Sequence, residues 1–202
     1  MNANIRNSLI RAAFACGVLL LAAPDARAAD VAPGSAAPAF TLTDQDGKSV
    51  SLADHAGKIV VLEWINPDCP FSRRHQERGT MKALAARYAP RGVIWLAVNS
   101  THYWTADKNK QWARKNTLPY PLLTDSPGTV GKAYDAKTTP DMRVIDPKGA
   151  IAYMGAIDDD PGGKKDSPTN YVAQALDELL AGKDVSTPRT RPYGCSVKYP
   201  PK

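Results

Sequence analysis

Cysteine and histidine are scarce in this chain of 202 residues, which contains three of each. The cysteines are Cys16, Cys69 and Cys195, so no two of them form a Cys-x-x-Cys pair. Structural zinc sites take cysteine or histidine ligands at short, regular spacings, and the histidines show no such spacing around these cysteines. The sequence therefore predicts no metal site, and nothing in it points to a bound cofactor.

Long apolar runs are missing as well. The run nearest the N-terminus, Ala12 to Ala23, is too short to span a membrane. Arg6 and Arg11 precede it, and the small-x-small segment Ala26 to Ala28 follows it, which is the pattern of a secretory signal peptide over residues 1–28. We expect the protein to be exported to a bacterial periplasm, or secreted where the host lacks an outer membrane. We expect no stable insertion into the membrane.

A concentrated charge of one sign is also lacking. The net charge of +6 comes from lysines and arginines scattered along the chain, whereas a nucleic-acid partner needs a clustered basic face. We therefore expect no nucleic acid among the partners. Removal of the signal peptide leaves Cys69 and Cys195, which are too few for a disulfide scaffold but are free to pair in an oxidising compartment.

The hydrophobic pattern predicts strands that alternate with helices. Lys58–Ile65 and Gly92–Val98 are nearly continuous apolar runs, typical of strands buried on both faces of a parallel or mixed sheet. The other expected elements are hairpins at 40–52 and 142–155, a short strand before Asp125, and helices from Pro70 towards Pro90, over 105–116, from Ser126 to Tyr134 and from Ser167 to Gly182. Gly79 is expected to loosen the middle of the first of these helices.

This order of elements predicts an α/β sandwich with a mixed central sheet. Residues 29–38, rich in small residues and proline, are expected to form an extended leader. Residues 39–182 form the predicted domain, and residues 183–202 form a proline-rich C-terminal tail that carries Cys195.

Cys69 stands where a buried strand ends and a helix begins, because Pro70 suits the first helical position. Unpaired backbone N–H groups and the helix dipole favour negative charge there, and such placement lowers a cysteine pKa from about 8.5 towards ~3.5–7.5. Arg73 and Arg74 add positive charge in the first turn, and Asp68 opposes it. We interpret Cys69 as a nucleophile; the alternative is an inert structural cysteine.

Four segments together resemble the redoxin superfamily of thioredoxin-fold proteins, which includes alkyl hydroperoxide reductases and thiol-specific antioxidants. They are the strand GKIVVLEW, the helix opened by Cys69, the segment TTPDMRVIDPKGAIAYMG and the hairpin at 40–52. The resemblance covers residues 32–182 and implies a thioredoxin-like three-layer sandwich with an N-terminal β-hairpin extension. NPDCPFSRRH together with PYGCSVKY is also similar to an exported subgroup of thioredoxin-like proteins.

The resemblance further implies a substrate groove beside Cys69. In this groove Pro140 is cis and packs against Cys69, and the backbone of Thr139 pairs with a bound substrate as an added strand. Trp64 and Pro70 complete the set of expected substrate-binding residues.

Four positions depart from the patterns of the superfamily. Ser72 stands where a dithiol thioredoxin has its second cysteine, and a serine cannot close a disulfide. Leu62 and Asn66 replace the proline and threonine of the peroxiredoxin pattern Pro-x-x-x-Thr/Ser-x-x-Cys, which argues against secure peroxidase chemistry. Arg73 stands at the second cysteine of the copper-delivery relatives, which argues against a metal.

Three further polar features have a functional and a plainer interpretation. Glu63 is a carboxylate inside an apolar strand, near the acidic group that transfers protons for the thiols in thioredoxins; the alternative is an edge-facing or salt-bridged residue. His75 is too far along the helix to activate the thiol and is expected on the helix surface or capping the core. The segment Asp158 to Asp160 is predicted to be a solvated loop.

Cys195 lies in the tail segment RPYGCSVKY, where Tyr193, Val197 and Tyr199 are apolar side chains that predict docking onto the domain. We expect Cys195 to resolve Cys69 by attack on a mixed disulfide or a sulfenic acid. A permanent structural disulfide between the two cysteines and a free thiol in a loose tail are the alternatives.

These features favour an exported thiol–disulfide oxidoreductase that uses Cys69 as its nucleophile. Its expected partners are protein disulfides or thiols, with an external thiol as the reductant. The second hypothesis is a thiol peroxidase with antioxidant activity, in which Cys69 attacks a hydroperoxide. The third is a non-catalytic module that binds a partner in the groove. Replacement of Cys69 by serine separates the third hypothesis from the others, because only a redox enzyme needs the thiol.

Overall fold

The computed structural model describes residues 31–201. The predicted signal peptide, residues 1–28, and the first residues of the predicted leader lie outside that range. Within it, no helix is both long enough and apolar enough to cross a membrane.

Nine strands are found in the described part of the chain. They are β1 (Thr41–Thr43), β2 (Ser49–Ser51), β3 (Val60–Trp64), β4 (Ile94–Asn99), β5 (Leu122–Thr124), β6 (Thr138–Thr139), β7 (Asp141–Ile145), β8 (Ile151–Gly155) and β9 (Cys195–Ser196). Seven of them form one sheet in the order β2-β1-β5-β4-β3-β7-β8, and β6 pairs with β9. Because β3, β4 and β5 are parallel and the other pairs antiparallel, the sheet is mixed, as predicted.

Helices cover both faces of this sheet. They are α1 (Pro70–Glu77), α2 (Thr80–Tyr88), α3 (Ala106–Lys115), α4 (Thr129–Ala133) and α5 (Tyr171–Leu180). Along β3, Val61 faces a core that also contains buried residues of α2, α3 and α5, whereas Leu62 and Trp64 face a second core that contains Val130 of α4. This alternation gives the three layers that the resemblance implies.

The helix predicted from Pro70 towards Pro90 is divided in two at Gly79, the residue expected to loosen its middle. Gly79 has a φ of +68°, in the left-handed region, and it separates α1 from α2. Glycine adopts this conformation without the steric penalty of a Cβ atom, so a helix readily ends there. Cys69 therefore precedes a helix of eight residues rather than a long one.

Two other helices begin later than predicted. α4 begins at Thr129 rather than Ser126, and α5 begins after Asn170 rather than after Ser167. The side chain of Asn170 accepts a hydrogen bond from the N–H of Ala173 at 2.8 Å, which caps α5. Asparagine and serine are equally good caps, so the local pattern does not distinguish them.

The C-terminal tail docks on the domain, as its apolar side chains predict. Val197 is buried in the core next to α4, and its N–H donates to the carbonyl of Lys137 at 3.0 Å. Tyr199 lies against α4, where a Cβ atom at Gly131 would fall 2.7 Å from the Tyr199 hydroxyl. The absence of a side chain at Gly131 thus makes room for Tyr199.

Candidate active site

Cys69 lies at the junction between strand and helix that the sequence predicts. β3 ends at Trp64, Cys69 is the N-cap residue of α1, and Pro70 begins the helix. The N–H groups of the first helical turn have no partners inside the helix and are available to a negative group. The Cys69 side chain is 1% exposed, and its thiol donates to the carbonyl oxygen of Thr139 at 2.9 Å.

Thr139 and Pro140 form the segment that faces Cys69. The Thr139–Pro140 peptide bond is cis, as the resemblance implies, and both residues are buried. Thr139 belongs to β6, which stands apart from the seven-stranded sheet. The structure therefore brings together the cysteine and the proline loop, which are separated by about seventy residues along the chain.

The tail occupies the free edge of β6. β9 pairs with it in antiparallel register, so that Thr139 lies opposite Cys195 and Thr138 opposite Ser196. Gly194 has a φ of +131°, and a Cβ atom at this position would overlap with the carbonyl oxygen of Thr139. The edge that the resemblance reserves for an external strand is thus taken by the chain itself.

Two opposing effects set the pKa of the Cys69 thiol. Burial raises this pKa, but hydrogen bonds to the sulfur outweigh burial and hold the pKa below the ordinary value for cysteine. The polar groups that lower it belong to Cys195, Thr139 and Ser72, with Cys195 contributing most. Ser72 belongs to the first turn of α1, so the start of the helix contributes to the lowered pKa.

Cys195 is the complementary thiol. Burial raises its pKa to about 11, and the hydrogen bond with Cys69 and the charge of the Cys69 thiolate act in the same direction. Both residues are free thiols, and both lie next to Thr139: Cys69 through its hydrogen bond to the Thr139 carbonyl, Cys195 through its register in β9. When the pair loses one proton, Cys69 carries the negative charge and Cys195 remains protonated.

Trp64 and Pro70, also expected in the groove, have different surroundings. Pro70 is exposed next to Cys69. Trp64 is fully buried: its indole N–H donates to the hydroxyl of Ser100 at 3.2 Å, and its ring centre lies 5.4 Å from that of Tyr134. Trp64 therefore offers no surface to a substrate in this structure.

Glu63 lies inside the core, with 3% of its surface exposed. Its carboxylate accepts hydrogen bonds from the indole N–H of Trp95 at 2.9 Å and from the hydroxyl of Tyr120 at 3.1 Å. Burial raises the pKa of Glu63 to about 7, although the two hydrogen bonds lower it. The edge-facing or salt-bridged alternative is therefore wrong. Within residues 31–201 no hydrogen bond connects Glu63 with Cys69.

A buried polar cluster fixes the tail next to α1. The hydroxyl of Tyr193 donates to the carboxylate of Asp158 and lies 2.9 Å from Nε2 of His75. Nδ1 of His75 lies 3.3 Å from the hydroxyl of Thr80. Burial lowers the pKa of His75, opposed by the charge of Asp158. His75 thus connects the helix that begins at Cys69 with the tail residue two positions before Cys195.

The segment Asp158 to Asp160 is not the solvated loop that the sequence predicts. Asp158 accepts from the N–H of Asp160 at 3.0 Å, and Asp160 from the N–H of Lys164 at 2.8 Å, so both carboxylates are buried with partners. Arg74, expected to act on Cys69, donates instead to the carbonyl of Asp160 at 3.2 Å. Across residues 31–201, no three His, Cys, Asp or Glu side chains are grouped so that they could hold a metal ion.

Sequence reasoning misses the glycines that the tail requires. At three glycines a Cβ atom would clash across the contact between the tail and the domain. The pairs are Gly194 with Thr139, Gly131 with Tyr199, and Gly155 with Thr190. The one available signal is Gly131, because a glycine inside a helical pattern often marks a close approach of another segment.

The topology of the sheet and the position of Cys69 opposite a cis-proline are those of the thioredoxin-like class of thiol proteins. The AhpC/TSA family profile matches residues 33–154, which is more than half of the chain. The chain belongs to this family.

Known relatives come from two kinds of thiol protein. The chloroplast peroxiredoxin Q of Triticum aestivum is 32% identical over 137 residues, which are 61% of this chain and 58% of that protein. The thiol-disulfide oxidoreductase ResA of Bacillus thuringiensis is 30% identical over 118 residues, which are 58% of this chain and 66% of that protein. The chain thus spans less than two thirds of the length of these relatives.

The similarity to solved structures covers more of the chain. The crystal structure of an uncharacterised conserved protein from Geobacillus kaustophilus superposes with a TM-score of 0.78 at 33% identity. The superposition covers 85% of this chain and 94% of that one. The shared fold therefore extends beyond the residues that match the family profile.

Proposed function

We propose that this protein is an exported thiol–disulfide oxidoreductase in which Cys69 is the nucleophile and Cys195 resolves it. The observation that carries the proposal is the position of Cys195, which lies opposite Thr139, the residue whose carbonyl oxygen is 2.9 Å from the Cys69 sulfur. A relative named thiol-disulfide oxidoreductase supports the same chemistry. Export rests on the signal peptide predicted from residues 1–28.

The reaction begins with the Cys69 thiolate. It attacks one sulfur of a substrate disulfide, forms a mixed disulfide and releases the other substrate sulfur as a thiolate. That thiolate takes the proton of Cys195, and Cys195 then attacks the sulfur of Cys69 and displaces the second substrate thiolate. The substrate is reduced to two thiols and the pair is oxidised to a Cys69–Cys195 disulfide, which an external thiol reductant opens again.

Thr139 and Pro140 shape the surroundings of the reacting sulfur. The carbonyl oxygen of Thr139 lies 2.9 Å from it and accepts a hydrogen bond from the Cys69 thiol. This contact orients the sulfur of Cys69 towards Cys195. A fixed orientation of two reacting groups accelerates their reaction because little entropy is left to lose.

Trapping experiments test the two roles. With a disulfide substrate, Cys195→Ser is expected to accumulate a mixed disulfide on Cys69, and Cys69→Ser to accumulate none, as read by peptide mapping and mass spectrometry. The oxidised wild type is expected to contain a Cys69–Cys195 bond that dithiothreitol opens readily. A bond that opens only at very low potential indicates the permanent structural disulfide instead, and the lack of any such bond rules out resolution by Cys195.

A thiol peroxidase is the second function that specific observations favour. Peroxiredoxin Q is among the relatives, and the depressed pKa of Cys69 suits attack on a hydroperoxide. Against it, the position of the peroxiredoxin threonine is taken by Asn66, whose side chain accepts from the N–H of Asp68 at 2.9 Å. Thiol-dependent consumption of hydrogen peroxide that disappears in Cys69→Ser supports the peroxidase. An inactive wild type with a titratable Cys69 excludes it.

A further inference from the structure

The docked tail closes the strand-binding edge beside Cys69. An antiparallel partner strand uses the backbone N–H and C=O groups of one edge, and at Thr138–Thr139 these groups face β9. Gly194 also lies directly against the carbonyl of Thr139. An extended segment of another protein can pair with Thr139 only after the tail has left.

The tail is anchored before Cys195. The N–H of Thr190 donates to the carbonyl of Met154 at 3.1 Å, and its hydroxyl oxygen accepts from the N–H of Ala156 at 2.9 Å. Tyr193 is bonded to Asp158 in the buried cluster described above. Departure of this part of the tail breaks all these bonds together.

The tail is also anchored after Cys195. Val197 is buried, and the hydroxyl of Tyr199 donates to the carbonyl of Ala136 at 2.8 Å. The carbonyl of Lys198 accepts from the N–H of His102 at 2.9 Å. Because anchors lie on both sides, β9 cannot lift away as a loose end.

The side chain of Cys195, in contrast, can move by itself. Cys69 is 1% exposed, but Cys195 above it is only partly buried. Rotation about one side-chain bond moves the Cys195 sulfur between staggered positions without disturbing the backbone of β9. Such rotations of partly exposed side chains are fast, whereas release of an anchored segment is slow.

We propose that the docked tail is a size filter for Cys69. Low-molecular-weight oxidants, either small disulfides or hydroperoxides, reach the Cys69 sulfur past the side chain of Cys195, and an extended protein segment is excluded until the tail undocks. This inference rests on the proposed function, whose substrate class it defines.

Both oxidants leave the cysteine pair in the same state. A small disulfide is cleaved by Cys69 and then by Cys195, which yields two small thiols and the Cys69–Cys195 bond. A hydroperoxide converts the Cys69 thiolate into a sulfenic acid and releases an alcohol, or water from hydrogen peroxide; attack by Cys195 then forms the same bond and releases water. In each case the pair loses two electrons, and an external thiol reductant returns them.

Two probes with the same leaving group test the filter. One is cysteamine and the other a synthetic peptide with the tail sequence Pro192–Tyr199, each joined through its cysteine-type sulfur to thionitrobenzoate. Release of coloured thionitrobenzoate and mass spectrometry report the reaction at Cys69 in the Cys195→Ser background. A third arm measures sulfenic acid formation by hydrogen peroxide with a dimedone-type reagent.

Glycine substitutions open the tail. Gly194→Ala places a Cβ atom on the Thr139 carbonyl, and Gly128→Ala, with a φ of +70°, places one on the ring of Tyr199. Gly182→Ala is the control, because Gly182 also has a positive φ, +70°, but no atom lies within 4 Å of its added Cβ. The two opening variants act on different sides of Cys195. If both give the same result, a folding defect in one of them does not explain it.

With the tail docked, we expect cysteamine and hydrogen peroxide to react and the peptide to react slowly. Opening is expected to raise the peptide rate about tenfold and to change the small-oxidant rates less than about twofold, since the fraction of open sites limits only the peptide. Equal peptide rates in docked and opened variants, or a parallel rise for all oxidants, would overturn the filter. A Cys69 that is inert to every probe in every variant contradicts the proposed function itself.

Discussion

Ser72 lies buried in the first turn of α1, three residues after Cys69. Within the described residues its hydroxyl has no hydrogen-bond partner. Position 72 therefore lies close to the nucleophile, but its serine cannot form a disulfide. Cys195 of the tail is the thiol available to Cys69.

Ser72→Cys is expected to form a disulfide between Cys69 and the introduced cysteine, in competition with the Cys69–Cys195 bond. The new ring contains few residues, so its closure costs little chain entropy. Peptide mapping of the oxidised variant measures the share of each bond. Ser72→Ala is the control and is expected to keep only Cys69–Cys195. If Ser72→Cys yields no new bond, the tail cysteine outcompetes even the nearest position on α1.

Cys195→Ala is expected to raise the pKa of Cys69. The substitution removes hydrogen-bond donation to the thiolate, so the thiolate forms at higher pH. The pH dependence of iodoacetamide labelling at Cys69, followed by mass spectrometry, is expected to shift towards higher pH. Cys195→Ser retains a hydroxyl donor and is expected to shift less. A midpoint that stays in place or falls in Cys195→Ala would falsify this view of the pair.

Glu63 is expected to make the protein less stable as the pH rises. In the folded state its pKa is about 7, against 4.5 as the ordinary value, so between these pH values the folded state holds the extra proton. The free energy of unfolding therefore falls as the pH increases through this window, by up to roughly 3 kcal/mol.

Glu63→Gln tests this dependence, because glutamine keeps an acceptor for Trp95 and Tyr120 but does not titrate. Denaturant unfolding across the window is expected to lose most of its pH dependence in this variant. Glu77→Gln, at an exposed position of α1, is the matched control and should retain it. Equal pH dependence in all three proteins contradicts the assignment.

The same variant tests the proton-transfer role predicted for Glu63. If Glu63 exchanges protons with the thiols, Glu63→Gln is expected to slow formation of the Cys69–Cys195 bond and to remove a step near neutral pH from its rate profile. The rate is measured by quenching the oxidation at fixed times, at a series of pH values, and quantifying the Cys69–Cys195 bond by mass spectrometry. An unchanged profile assigns Glu63 to the core alone.

Tyr193→Phe is expected to slow closure of the Cys69–Cys195 bond by about tenfold, because a less fixed tail lowers the effective concentration of Cys195 at Cys69. The first attack by Cys69 on the small cysteamine probe, measured in the Cys195→Ser background, is expected to stay the same. The ring packing on Phe71, 6.1 Å between centres, is preserved. Tyr171→Phe on α5 is the control. A slowed first attack would instead indicate a general fold defect.

The nucleophile and the sheet could be predicted from sequence because their signals are local. The apolar run ending in Trp64 marks β3, and Pro70 marks the first turn of a helix, so Cys69 between them must meet free helical N–H groups. Gly79 marks the weak point of that helix, but the sequence does not decide whether the helix ends there. A glycine within a helical pattern either remains helical or adopts a left-handed conformation, according to what the neighbouring turns pack against.

What the sequence by itself determined was the order of strands and helices, the thiol at the helix start and the presence of a second thiol in the tail. Only the tertiary structure decided that the tail fills the edge at Thr139, that Glu63 is held by Trp95 and Tyr120, and that the tail depends on Tyr193. The physical reason is that these contacts join segments distant along the chain through single hydrogen bonds and a two-residue strand, which are too short to impose a periodic pattern.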